Sequence, residues 1–279
     1  MKISFFGTAA AEGFPALFCN CKYCAEARKR RGKNLRQRSQ SLINDDLLID
    51  ISADTMSHFQ QHDVRGDKIK YLLITHSHED HFYPHEIRLR GSCYAHDMEA
   101  DKLNIIAPQA VFERMVTEMA TMMDKSTAEH LELHLATPYK TINFDDYEIT
   151  PFRARHAFSE VAVIYVIKQG EKSILYAHDT GYFYDDVLKY IEDNKLRFDL
   201  VTLDCTYAHL DTDRENGHMG LNTNGEIIEA LRSIGAVDEN TQLFVNHFSH
   251  NGNPLHEELS ESAAKIGCEV AFDGCTVEI

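Results

Sequence analysis

No apolar run among the 279 residues is long enough to cross a bilayer, which takes about 20 residues. The opening Met1-Lys2-Ile3-Ser4-Phe5-Phe6-Gly7 lacks the long apolar region and cleavage site of a secretory signal, and reads better as a first strand. The expected location is cytoplasmic, with no membrane attachment. Basic charge is in deficit: 28 Lys and Arg stand against 44 Asp and Glu, a net charge of −16. Such a surface repels nucleic acid in bulk and offers no general footprint for phosphate. One local exception runs from Arg28 to Arg38, and a solvated helix end and loop explains it better than a phosphate-steering patch. Cysteine numbers seven, an odd count that implies no disulfide framework in a cytosolic chain. Nor is there an internal repeat, a low-complexity linker or a clear domain boundary. With 43% hydrophobic and 26% charged residues, the chain is expected to form one globular domain, 1–279, with a sizeable core.

Histidine, by contrast, is abundant at 16 residues, and three of them crowd into Thr75-His76-Ser77-His78-Glu79-Asp80-His81. This stretch follows Tyr71-Leu72-Leu73-Ile74, which has the pattern of a buried strand. It leads into Phe82-Tyr83-Pro84, where proline suits the first turn of a helix. Imidazole suits zinc, iron, nickel and copper, and a carboxylate extends the range toward manganese and magnesium. In an extended segment His76 and His78 share a face and can grip one cation. Asp80 and His81 fall beyond the turn, where they can address a second. A solvated polar loop is the bland alternative, and four ligand types at this spacing directly after a strand favour a metal site.

Strands are expected at 2–6, 41–44, 47–50, 70–75, 103–107, 147–151, 161–167, 173–177, 199–203, 242–246 and near 269–278. Helices are expected at 25–31, 54–61, 109–123, 184–194, 224–234 and 254–265. Two strand-rich halves, each with helices, predict two layered sheets covered by helices. Cys19, Cys21 and Cys24 cluster, and three thiolates plus a fourth ligand suit a metal better than buried thiols do. Cys93, Cys205, Cys268 and Cys275 read as small buried apolar residues.

Three later residues end strands as the histidine loop does: His156 after 147–153, Asp179 after 174–177, and His247 after 243–246. Together with the loop they make seven candidate ligands, enough for two four- to five-coordinate cations once water is added. A carboxylate such as Asp179 can bridge two cations about 3.5–4 Å apart, which then hold a hydroxide between them.

The His-x-His-x-Asp-His loop, with His156, Asp179 in Asp-Thr-Gly, and His247, resembles the metallo-β-lactamase superfamily over nearly the whole chain. That resemblance implies an α/β (α+β) fold, a four-layer αββα sandwich with a dinuclear site at one edge. It implies one metal on His76, His78 and His156, another on Asp80, His81 and His247, and Asp179 bridging. The closer likeness is to the PhnP-type cyclic phosphodiesterases. It rests on Gly7-Thr8-Ala9-Ala10-Ala11-Glu12-Gly13-Phe14-Pro15, on Cys-x-Cys-x-x-Cys, and on Asn246-His247-Phe248-Ser249-His250. Carried over, Cys19, Cys21, Cys24 and His250 would bind a structural zinc. His218, in Gly217-His218-Met219-Gly220-Leu221-Asn222, would be a general acid, a role imidazole suits near neutrality. Asp50 would orient a ligand histidine. His178 departs from the relatives' pattern, and His85, His96, His209 and His256 carry no functional claim. The resemblance also implies a homodimer.

The reaction implied is hydrolysis of a small phosphate ester, cyclic esters included. Two active-site divalent cations (manganese, zinc, iron or nickel) would do the chemistry, with Asp80, Asp179 and His218 as catalytic residues. A tRNA 3′-processing nuclease shares the site, but the acidic charge and the lack of a basic arm argue against it. A glyoxalase-type thioesterase or a lactamase leaves His218 and the zinc motif without a purpose. An iron redox member would carry a carboxylate in place of His78. A metal-binding protein without turnover, such as a cofactor-biosynthesis carrier, is the remaining alternative. The region from about 84 to 138 is expected to shape the substrate pocket.

Overall fold

The computed structural model describes residues 1–279. Its first sheet holds β1 (Lys2–Gly7), β2 (Gln40–Ile43), β3 (Leu47–Ile49), β4 (Tyr71–Leu73), β5 (Leu103–Ala107) and β6 (Leu131–Leu135). The second holds β7 (Ile142–Asn143), β8 (Glu148–Arg153), β9 (Val163–Gln169), β10 (Lys172–Ala177), β11 (Leu200–Asp204), β12 (Gln242–Asn246) and β13 (Glu269–Val270). The last strand, β14 (Cys275–Glu278), returns to the first sheet, giving the orders β14-β1-β2-β3-β4-β5-β6 and β13-β12-β11-β10-β9-β8-β7.

Strand alternation explains the layering. Val163, Tyr165 and Ile167 of β9 face inward and pack with Phe5, Ile49 and Leu73 of the other sheet. Ile164 and Val166, one step along, face outward into a separate core. Both faces are buried, which is why these strands read as unbroken apolar runs. The outward core lies under α5 (Asp185–Asp193), α6 (Leu221–Ser233) and α7 (His256–Ala263). The first sheet is covered on its outer side by residues of α2 (Thr55–Gln61), of the 3₁₀ segment Pro84–Arg90 and of α3 (Gln109–Met119). The result is the expected αββα sandwich. At its amino-terminal side lies α1 (Lys22–Arg30), and α4 (Lys125–Glu129) sits beside the 3₁₀ segment.

Parallel pairing aligns the strand ends. β3, β4, β5 and β6 run parallel in one sheet, and β10, β11, β12 and β13 in the other. Each group therefore delivers its carboxyl ends to one edge, where open α/β sheets place ligands. The sheets are tied there by Val163 N–H donating to Thr75 O at 2.9 Å and Tyr165 Oη–H donating to Ile74 O at 2.7 Å.

Candidate metal centre

Asp50, Asp179 and His247 each follow a strand, and each has a left-handed backbone, with φ of 62°, 57° and 63°. Non-glycine residues seldom adopt this conformation, and its cost is met where a side chain must be re-aimed. Here it turns all three toward the shared edge. The structure brings together the seven ligand candidates in two sets. In each, the donor atoms lie within 4.8 Å of one another: His76, His78, His156 and Asp179; and Asp80, His81, Asp179 and His247. Asp179 belongs to both. Its Oδ2 lies 3.1 Å from His76 Nε2, 3.1 Å from His81 Nε2 and 3.3 Å from His156 Nε2. His78 Nδ1 and His156 Nε2 are 3.0 Å apart, and His81 Nε2 and His247 Nε2 are 3.1 Å apart. Two nitrogens on one tetrahedral cation would sit at about 3.3 Å, given metal–nitrogen bonds of about 2.0–2.1 Å.

Outer hydrogen bonds fix which ring nitrogen faces inward. His81 Nδ1–H donates to Asp50 Oδ2 at 2.7 Å. Thr75 Oγ1 donates to Asp50 Oδ1 at 3.1 Å and accepts from His76 Nδ1 at 3.0 Å. The same relay recurs across the site: Thr206 Oγ1 donates to Asp204 Oδ2 and accepts from His247 Nδ1, both at 2.8 Å. With Nδ1 engaged, His76, His81 and His247 present Nε2 to the centre. Asp204, at the end of β11, also accepts from Met219 N at 2.8 Å and Asp179 N at 3.2 Å. His218 Nδ1 lies 3.3 Å from Asp204 Oδ2 and 3.0 Å from Asp179 Oδ1, and the Nε2 of this 24%-exposed side chain has no protein partner. Sequence reasoning passed over Asp204. Its signal was the one used for Asp179, an acidic residue closing an apolar strand.

The charges argue for cations. Asp50, Asp80, Asp179 and Asp204 are all buried, and their ion-pair partners are histidines rather than any lysine or arginine. Buried carboxylates need compensating positive charge. His76 Nε2 is buried without a hydrogen-bonding partner, although Asp179 Oδ2 stands 3.1 Å away. Lone pairs facing lone pairs is what ligands converging on a cation produce. Without metal, protons take that place. Burial opposes a charged His247, but Asp179, Asp204 and Asp80 outweigh it and push its pKa up to about 9. Burial likewise opposes a charged His81, but Asp50 first, then Asp80 and Asp179, outweigh it and hold its pKa well above its usual value. His76, enclosed and next to His81, falls to about 3.

A second cluster is Cys19, Cys21, Cys24 and His250. Cys19 Sγ and Cys21 Sγ lie 3.6 and 3.7 Å from His250 Nδ1. A tetrahedral zinc with bonds of about 2.3 Å to sulfur and 2.0–2.1 Å to nitrogen sets this separation at about 3.6 Å. Cys21 caps α1 by accepting from Cys24 N, so the helix begins at Lys22 rather than at the expected 25. Burial pulls the Cys21 thiol up, but the Cys24 N–H and His250 outweigh it and lower its pKa to about 6, toward thiolate. The basic stretch serves this region from within. Arg28 donates to Cys19 O at 2.8 Å, Arg38 pairs with Asp54 at 3.0 Å, and buried Arg36 donates to Thr8 Oγ1 at 2.8 Å. Arg28 to Arg31 and Lys33 are exposed, as expected of a solvated helix end and loop, whereas Arg36 and Arg38 act as internal struts. Of the histidines given no role, His178 is fully buried against Thr202 Oγ1 at 2.7 Å and His256 packs near Arg36.

The comparisons with known proteins agree with this fold. The model of the beta-lactamase superfamily domain matches residues 46–248. Coenzyme PQQ synthesis protein B of Acinetobacter baumannii (strain ACICU) is 24% identical over the full length of both chains. A diphosphatase of the PhnP family superposes with a TM-score of 0.76 at 19% identity, covering 100% of this chain and 97% of that one. Zn(2+)-bound PqqB from Methylobacterium extorquens gives 0.76 at 20% identity over all of both chains. No helix of the structure is long and apolar enough to cross a membrane. With the family model spanning most of the chain and the two sheets arranged as that family arranges them, this protein belongs to the beta-lactamase superfamily and has its metallo-β-lactamase fold.

Proposed function

We propose that this protein is a metal-dependent hydrolase of small phosphodiesters, cyclic ones included. The observation that carries the reading is Asp179, held in common by two ligand sets with His218 beside it. His76, His78 and His156 would hold one divalent cation, Asp80, His81 and His247 a second, and Asp179 both. Bound there, the pair would supply Lewis acidity and activate water at neutral pH. Asp50, Thr75, Thr206 and Asp204 keep the imidazoles in the right tautomer. His218, protonated through its contacts with Asp204 and Asp179, presents Nε2–H to the departing alkoxide. Cys19, Cys21, Cys24 and His250 would hold a structural zinc that pins the amino-terminal loop to the segment after β12. The substrate would be a small molecule rather than nucleic acid, and the protein a cytoplasmic homodimer.

The test is hydrolysis of bis(p-nitrophenyl) phosphate and of a 2′,3′-cyclic nucleotide by protein loaded with manganese, zinc or nickel. Turnover is expected, and its absence with all three metals would sink the reading. A second reading then takes over, that of a metal protein serving coenzyme synthesis, supported by the full-length similarity to coenzyme PQQ synthesis protein B.

Two further outcomes follow from the outer contacts. Asp50→Asn leaves His81 Nδ1 without its carboxylate, so metal affinity at the Asp80–His81–His247 set should fall by about 10–100-fold in chelator competition. Cys24→Ser should lower zinc content by about one equivalent and reduce the melting temperature, because a structural zinc contributes directly to folding. Unchanged zinc in Cys24→Ser would remove the structural site.

A further inference from the structure

The 3₁₀ segment Pro84–Arg90 and the loop leading to Leu103 fold back against α2 and line a half-open cavity of about 490 Å³. Its walls are mostly apolar: Leu48 and Leu72 of the first sheet, Phe59 of α2, then Ile87, Leu89 and Met98. None of the candidate metal ligands lines it, nor does His218. The volume falls in the range of small-molecule sites, about 300–1,000 Å³, and such sites combine an apolar lining with a few fixed polar groups.

Arg90 is the group that distinguishes this cavity from a packing void. It lines the wall, and its Nη2 donates to Ala100 O at 2.6 Å, yet its Nε is buried without an acceptor and the side chain forms no ion pair. A half-buried guanidinium with no carboxylate in ion-pair contact, and only Asp101 acting on it from farther off, is an incompletely compensated charge. Among the other charged wall residues, Asp67 is already engaged by Arg65 at 2.7 Å, and Glu86 is a like charge that an acidic ligand must keep clear of. We propose that the cavity binds an amphipathic acid, with the apolar body among Leu48, Phe59, Leu72 and Ile87 and the carboxylate on Arg90. The inference is independent of the phosphodiesterase reading. Ile51 joins the two regions: it lines the cavity, donates from N–H to His81 O at 2.8 Å and accepts from Tyr83 N–H at 2.6 Å.

The probe is decanoate, titrated calorimetrically into the metal-loaded full chain, with decanol as the uncharged chain of equal length. Saturable binding of one decanoate is expected, with a matching rise in melting temperature. Arg90→Met should weaken decanoate at least tenfold and leave decanol unchanged, while Arg90→Lys keeps most of the affinity. Leu89→Trp, which fills the cavity, should weaken both ligands and serves as the second handle should Arg90→Met fail to fold. Asp179→Ala separates this site from the metals, since a carboxylate could also bind there and this variant is expected to lose both, and decanoate binding should survive it. No saturable binding, equal affinity in Arg90→Met, or loss of binding in Asp179→Ala would each overturn the proposal.

Discussion

Asp179→Ala should lose both active-site metals and, with them, turnover of bis(p-nitrophenyl) phosphate by at least on the order of 10³-fold, about 4 kcal/mol of transition-state stabilisation. The expectation comes from the position of one carboxylate. Its Oδ2 is 3.1 Å from His76 Nε2 in the first ligand set and 3.1 Å from His81 Nε2 in the second. No other residue belongs to both sets, and the remaining carboxylate ligand, Asp80, serves only the second. Removing Asp179 also leaves five imidazoles converging with one anion fewer, so a cation would meet repulsion from protonated rings rather than attraction. Asp80→Ala is the contrasting variant: it should keep the His76–His78–His156 metal and still lose turnover. Metal content by mass spectrometry and activity, measured on the same samples, separate the two. Two equivalents of metal retained in Asp179→Ala would show that the sets do not share this residue.

Metal loading should also depend on pH with a definite sign. His81 and His247 are held protonated in the metal-free protein, the latter with a pKa pushed up to about 9. A ligand must shed that proton to bind, so affinity at this set rises as pH increases toward that value, and loading at neutral pH releases protons. Titration in two buffers of different ionisation enthalpy reads the release directly. Affinity independent of pH between 6 and 9 would contradict the assignment of His247.

Much of this site was legible because its logic is local. A strand followed by His76-Ser77-His78-Glu79-Asp80-His81 needs no partner to be recognised, and Asp179 and His247 repeat the same grammar of an apolar run closed by a polar residue. The apolar runs at 161–167 and 173–177 read as strands, and the two-sheet architecture followed from two strand-rich halves, each with helices. What escaped was decided by tertiary contact. β6, Leu-Glu-Leu-His-Leu, is an edge strand with Leu133 and Leu135 half exposed, and only its parallel register with β5 makes it a strand. α4 spans five residues and owes its start to Asp124 accepting from Thr127 N. Pro84 begins a helical segment as expected, but of 3₁₀ type. Arg36 sits in a run that reads as solvated, yet its partners, Thr8 and Ala271, lie far off in sequence. Asp204 closes an apolar strand as Asp179 does, but its role rests on Met219, Thr206, Asp179 and His218 gathering around it, which only the tertiary fold shows.

His218→Ala should lower kcat by about 10²–10⁴-fold on a cyclic alkyl phosphodiester but only slightly on bis(p-nitrophenyl) phosphate. The difference lies in the leaving group. An alkoxide needs a proton as it departs, whereas p-nitrophenolate leaves as a stabilised anion. Burial pulls the His218 pKa down, but Asp179 and Asp204 against Nδ1 override it and hold it at about 11, so the imidazole stays protonated through neutrality. A general acid works in its protonated form, so activity on the alkyl ester is lost as pH rises through this pKa, and the low-pH side is unaffected by it. Cations sharing Asp179 would withdraw part of that carboxylate's charge, which leaves Asp204 to carry more of the shift in the loaded protein. Asp204→Asn therefore moves the falling alkaline limb of kcat/KM to lower pH, toward the ordinary histidine range of about 6.5, while p-nitrophenyl ester turnover keeps its profile. A purely structural loss would depress both substrates together without displacing the limb. Equal losses on the two esters in His218→Ala would remove the proton-donor role and leave His218 as a residue that only shapes the cleft.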